Sequence, residues 1–229
     1  MLLPVLKAAD NTDSPLIQST LFRVADEQKR MWTLPTKLLE PKVAIPTAAV
    51  IAGTAALIAT DAASSGYFRG TNSFASFNRV FNGNITGYGT LATPVVLFAA
   101  GRFRKDSKMT GTAFAAGEAL VNAEGLAIVM KGITGRASPT APQQGWFQAS
   151  GSSFLGNGSF PSGHAISAFA VATVISRRYG NHRWVPWVAY GLAGAVGFSR
   201  VSSSAHFASD AFLGAALGYS VGRFAVLRQ

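Results

Sequence analysis

Six apolar segments rich in Ala, Gly and Val recur along the chain, at roughly residues 43–60, 88–101, 113–130, 165–176, 185–198 and 211–227. Runs of this length and composition read as helices. Several are shorter than the roughly 20 residues that cross a bilayer comfortably, and Glu118 and Glu124 lie inside the third. The charge pattern between the segments is more informative. With the N-terminus threaded inside, Lys37 and Lys42, then Arg102, Arg104, Lys105 and Lys108, then Arg177, Arg178 and Arg183, then Arg223 and Arg228 all fall on one side. The opposite side keeps only Arg69, Arg79, Lys131, Arg136 and Arg200. That asymmetry is a positive-inside pattern. Small residues in GLAGAVG and LGAALG permit close helix approach, as membrane bundles use. Charged residues make up 13% of the chain against 48% hydrophobic, about half the charged share of an ordinary soluble domain. The reading is an all-α, six-helix, membrane-embedded bundle over residues 43–229; a soluble helical bundle is the weaker alternative.

Residues 1–42 stand apart as an N-terminal segment with an amphipathic portion around 16–32, suited to the membrane interface or to packing as an ordinary helix. The opening MLLPVLKAAD lacks a basic region before its short apolar run, so a mature, cytoplasmic N-terminus is expected and not a secretory signal. A net charge of +10 would by itself permit nucleic-acid binding, but the basic residues sit between apolar segments and form no single patch, so no nucleic-acid partner is expected. The absence of cysteine excludes disulfides and thiolate chemistry. Residues 145–159 are rich in Gly and Ser and read as a polar loop on the outer side.

Three runs carry the chemistry: KGITGRASP at 131–139, PSGH at 161–164 and SRVSSSAHFASD at 199–210. Each lies at the outer end of an apolar segment, so their polar side chains meet in one layer at the mouth of the bundle. His206 and Asp210, four residues apart, fall on one face of the last helix; the carboxylate can hold one ring nitrogen and leave the other as a nucleophile. A lone pair of this kind is more often a capping or core contact, but a second histidine and three cations converge here. PSGH places His164 in the first turn of a helix, whose free N–H groups can hold an anion, with the Ser162 hydroxyl and the Gly163 backbone beside them. A plain serine cap is the simpler alternative. Lys131, Arg136 and Arg200 can neutralise a phosphoryl dianion, or each can snorkel to the interface.

With these residues assembled, the chain resembles the type 2 phosphatidic acid phosphatase superfamily, which also contains bacterial non-specific acid phosphatases and vanadium haloperoxidases. The family pattern is K-x6-R-P, then PSGH, then S-R-x5-H-x3-D, and the second and third parts match in full and in order. The resemblance implies His206 as nucleophile, Asp210 as its orienting partner and His164 as general acid. It implies Lys131, Ser162, Gly163 and Arg200 as phosphate ligands, with no metal and no cofactor. One departure stands out: Ser138 occupies the arginine position before Pro139. Arg136, the nearest guanidinium, is expected to swing over the pocket in its place. The charge pattern places the phosphate pocket toward the periplasm or exterior, and a lipid-like phosphate substrate and an integral location in a bacterial inner membrane are expected with it. A non-catalytic phosphate- or lipid-binding membrane protein, a soluble acid phosphatase and a vanadate haloperoxidase are the competing functions.

Overall fold

The computed structural model describes residues 22, 25, 26, 29, 41–147 and 158–226. The expected interfacial segment 1–42 lies almost wholly outside them, as do residues 148–157 of the polar loop. In chain order the described elements are α1 (Pro41–Gly70), α2 (Ala75–Val80), α3 (Gly83–Arg104), α4 (Ser107–Thr134), α5 (Gly163–Arg178), α6 (Trp184–Ser202) and α7 (Ala208–Ser220). A π-helical turn, Val221–Val226, follows α7. All six apolar segments are therefore helical over their described residues, and the first five extend beyond their apolar windows into polar caps. Asn82 accepts a hydrogen bond from the Ile85 N–H at 2.9 Å, and Asp106 accepts one from Met109 at 2.9 Å, starting α3 and α4. Gly135, with φ of 51°, ends α4 in the left-handed conformation that glycine adopts freely. Two departures from the expected layout stand out: α2 is an additional short helix, and the sixth segment passes from α-helix into the π turn.

α4 and α5 form the centre. Ala116, Ala119, Leu120, Ala123 and Leu126 on α4 pack against Ile166, Ala170, Val171 and Val174 on α5. α7 lies close along α5 because glycine recurs on its contact face: a Cβ at Gly214 would meet the Ser162 carbonyl oxygen at 2.8 Å, and one at Gly218 would meet the Ile166 carbonyl oxygen at 2.2 Å. The LGAALG run thus makes the close approach expected of it. GLAGAVG does not, since added Cβ atoms at Gly191, Gly194 and Gly197 would meet nothing within 4 Å.

α1 is inside-out by the standards of a water-soluble helix. Its buried residues among those described are Thr54, Asp61 and Ser65, all polar and spaced to share one face, while Ile45 and Ile51 are exposed. Such an arrangement suits a helix whose outer face meets lipid. Among the described residues two helices are long and apolar enough to cross a membrane, Val43–Gly70 and Ser107–Thr134, with mean hydropathy of 1.9 and 1.4. The basic ends of neighbouring helices meet at one end of the bundle. There Arg178 Nε donates to Thr112 Oγ1 at 2.8 Å, and Lys108 Nζ sits 4.8 Å from the centre of the Tyr179 ring.

Candidate active site

The end of the bundle opposite those basic residues is assembled from four connections. After α4, Ser159 N–H donates to the Arg136 carbonyl at 2.7 Å, and Thr134 Oγ1 donates to the Phe160 carbonyl at 2.7 Å. These bonds hold the chain entering PSGH against the chain leaving α4. Ser162 then precedes the first turn of α5, its N–H donating to the Asp210 carbonyl at 3.0 Å. Its hydroxyl does not cap the helix; it is wholly buried and without a hydrogen-bond partner among the described residues. A buried unpaired hydroxyl is costly unless something accepts from it.

His206 is brought in by a hook at the end of α6. Ser204 takes a left-handed φ of 58°, and the N–H groups of Ala205 and His206 both donate to the Arg200 carbonyl at 3.0 Å. His206 therefore lies in the turn before α7, not on its face. The expected link to Asp210 is also less direct. Nδ1 is 3.5 Å from Asp210 Oδ2 but 3.2 Å from Ser159 Oγ, and Ser159 donates to Oδ2 at 2.5 Å. With its hydrogen committed to the carboxylate, the Ser159 oxygen accepts from Nδ1–H, so in the neutral ring Nε2 is the nitrogen with the free lone pair. Asp210 Oδ2 also accepts the Phe207 N–H at 2.9 Å.

His164 enters from the first turn of α5 and donates from Nε2 to the Gly83 carbonyl at 3.1 Å. Arg200, 5% exposed, donates from Nη2 to the Phe81 carbonyl at 2.6 Å and to Ser199 Oγ at 3.0 Å. The start of α3 can lie over both because positions 83 and 87 are glycine: an added Cβ would be 2.6 Å from Arg200 Nη1 at the first and 3.3 Å from His164 Nε2 at the second. His164 is close enough to interact electrostatically with Arg200, His206 and Glu124, and Lys131 with Asp210 and Glu124. A Cβ on Gly163 would lie 3.7 Å from Lys131 Nζ. Two histidines, two cations, a free hydroxyl and a helix start thus share one layer.

Arg136 does not join that layer, which corrects the expectation that it would reach the pocket in place of the residue at 138. It is 2% exposed and lies behind Asp210. Nη1 donates to Asp210 Oδ1 at 2.6 Å and to Ser209 Oγ at 2.7 Å, and Nη2 donates to Asp61 Oδ2 at 2.8 Å. The Phe207 and Phe147 rings flank its guanidinium, with centres at 4.1 and 4.9 Å. Two carboxylates in a buried setting outcompete a solvent-facing position for a guanidinium. A cavity of about 210 Å³ on this side, bordered by Asp61, Arg136, Trp146 and Phe207, touches neither histidine.

Comparison with known proteins agrees with this arrangement. The family model of the PAP2 superfamily matches residues 111–229, just over half of the chain. The chain belongs to the PAP2 superfamily. A lipid A 1-phosphatase from Porphyromonas gingivalis is 43% identical over 65 residues, which is 28% of this chain and 15% of that protein. The match therefore spans a small part of that relative's length. Among solved structures, the first transmembrane PAP2 type phosphatidylglycerolphosphate phosphatase from Bacillus subtilis shares the fold, with a TM-score of 0.52 and 20% identity over 89% of this chain and 94% of that one. The PAP2 match contains Lys131, Ser162, His164, Arg200, His206 and Asp210. Asp61 and the two carbonyls facing His164 and Arg200 lie before it. No local motif in the sequence marks those groups or Ser159. The one visible signal was a lone carboxylate closing the first apolar run, because an ionisable residue in such a segment marks a functional position.

Proposed function

We propose that this PAP2 protein is a metal-independent phosphatase that hydrolyses a phosphomonoester or diphosphate of a lipid-like substrate through a phosphohistidine on His206. The observation that carries the reading is the convergence of a Ser159-held His206 with His164, Lys131, Arg200 and the unpartnered Ser162 hydroxyl. His206 Nε2 attacks phosphorus and forms the N–P bond as the ester P–O bond breaks. His164, protonated on both ring nitrogens with the phosphoryl dianion bound, gives its Nε2 proton to the departing alkoxide or phosphate and is left neutral. Asp210, through Ser159, balances the positive charge the ring acquires. In the second half His164 takes a proton from water, the hydroxide attacks phosphorus, and the N–P bond breaks to return His206 and release phosphate. Lys131, Arg200, Ser162 and the backbone at Gly163 hold the equatorial oxygens, where charge develops.

Residues 43–229 form the catalytic bundle on this reading, embedded in a bacterial inner membrane with the pocket facing the periplasm. The names of the two relatives both point to phosphorylated lipids, and an apolar bundle with its polar layer at one end suits such a substrate. The test is phosphate release by purified protein in detergent from a panel of lipid phosphates and diphosphates, with acid-quench trapping of an N-linked phosphoenzyme. His206→Ala is expected to abolish both signals. His164→Ala is expected to spare nitrophenyl phosphate, whose leaving group needs little protonation, far more than alkyl phosphates. Equal losses on the two substrate types would refute the acid role, and no release from any substrate would refute the enzyme.

A further inference from the structure

The charge arrangement behind His206 begins on α1, well outside the PAP2 match. Asp61 is 2% exposed within a helix whose exposed residues are mainly apolar. Every polar atom of its carboxylate is used: Oδ1 accepts the Ser209 N–H at 3.2 Å, and Oδ2 accepts both the Ser209 hydroxyl and Arg136 Nη2. Ser209 in turn accepts from Arg136 Nη1 at 2.7 Å. The Arg136 guanidinium is thus divided between two carboxylates, Asp61 and Asp210, in a site flanked by the rings of Phe147, Phe160 and Phe207.

The sum of these charges matters more than any one contact. With Asp61, Arg136 and Asp210 all ionised, the group carries one net negative charge, and Asp210 is the member facing His206. If Asp61 were neutral, Arg136 would belong to Asp210 alone and the sum would be zero. In a poorly screened interior that difference reaches the imidazole, which turns cationic on accepting a phosphoryl group. Lys131 and Arg200 already bring positive charge from the other side, with Glu124 partly balancing them.

We propose that Asp61 is a positioning residue for phosphoryl transfer: by sharing Arg136 it keeps Asp210 negative toward His206 and fixes the start of α7. The inference rests on the proposed function. It predicts a loss in turnover, not in phosphate affinity, because Asp61 lies behind the pocket.

The experiment measures kcat on nitrophenyl phosphate, and the inhibition constant of inorganic phosphate, for the purified full chain in detergent. Asp61→Asn is expected to lower kcat at least about tenfold while the phosphate constant changes less than about threefold. Asp61→Glu, which keeps the charge, should restore most of the loss. The double variant Asp61→Asn with Arg136→Gln returns the group to one net negative charge, so it should turn over faster than Asp61→Asn alone. Should Asp61→Asn not give a monodisperse protein, Asp61→Ser, equally neutral and smaller, takes its place in both comparisons. A wild-type kcat in the neutral variant, or losses that simply multiply in the double variant, would overturn the proposal. Absence of turnover in the wild type would instead overturn the enzyme reading on which it rests.

Discussion

At the scale of single residues, Ser159 is the group whose contribution is easiest to isolate. It supplies the hydrogen bond that orients His206 and passes it to Asp210. Ser159→Ala leaves Asp210 its Phe207 and Arg136 donors but leaves Nδ1–H without its acceptor. Loss of one hydrogen bond to a charged group is worth about 1.5–3 kcal/mol, so kcat is expected to fall roughly 10- to 100-fold with little change in KM. Steady-state kinetics checks this, and Ser159→Thr, which retains the hydroxyl, should recover a large part of the loss. The sequence shows why Ser159 was hard to see: it belongs to a Gly- and Ser-rich run and differs from its neighbours only through where the chain leaving α4 pins it. Arg136 was misplaced for a related reason. Its position near Lys131 was legible, but its partners are 75 and 74 residues away in the chain, and no local pattern announces them.

Among the helices, the α5–α7 contact sets the geometry of the site, since PSGH opens one and the Asp210 turn opens the other. Gly218→Ala would place a methyl group 2.2 Å from the Ile166 carbonyl oxygen. Backbone cannot retreat as a flexible side chain can, so a destabilisation of about 1–3 kcal/mol is expected, read as a lower Tm in detergent and a loss of activity. Gly191→Ala is the control: with open space around it, the change should leave Tm unchanged or raise it by the helix-propensity gain, up to about 1 kcal/mol. Legibility at this scale was good where apolar runs exceeded three turns. It failed at α2, whose ASFNRV offers six residues and no period. That helix is held in place by aromatic contacts made across the fold, Phe74 and Phe77 against Phe198, at 5.1 and 5.4 Å between ring centres. It failed again at the π turn, where Gly222 approaches the Ala170 carbonyl and Thr173 closely; a hydropathy pattern does not distinguish a π turn from the helix it continues.

For the molecule as a whole, the separation of a basic end from the pocket end predicts an orientation. Exposed Trp184 and Trp187 flank the basic end, and exposed Trp146 lies near the other, as aromatic belts at two interfaces would. In intact cells of a cysteine-free chain, Thr140→Cys is expected to react with an impermeant maleimide and Arg104→Cys to react only after permeabilisation; the reverse result would invert the proposed topology. The carbonyls of Gly83 and Phe81 have one more consequence, in the thermodynamics of exchange. His164 Nε2–H and Arg200 Nη2 already donate to those carbonyls, so on the proposed function a phosphoryl oxygen that takes either donor trades one hydrogen bond for another. The net gain per bond is only the difference between a charged and a neutral acceptor, on the order of 1 kcal/mol. These two donors then add little to the affinity for a headgroup, which falls instead to the Ser162 hydroxyl, to Lys131 and to apolar surface withdrawn from water, about 0.8 kcal/mol for each methylene. A phosphatase of the proposed kind gains little from these two bonds by retaining free phosphate, and so releases it readily.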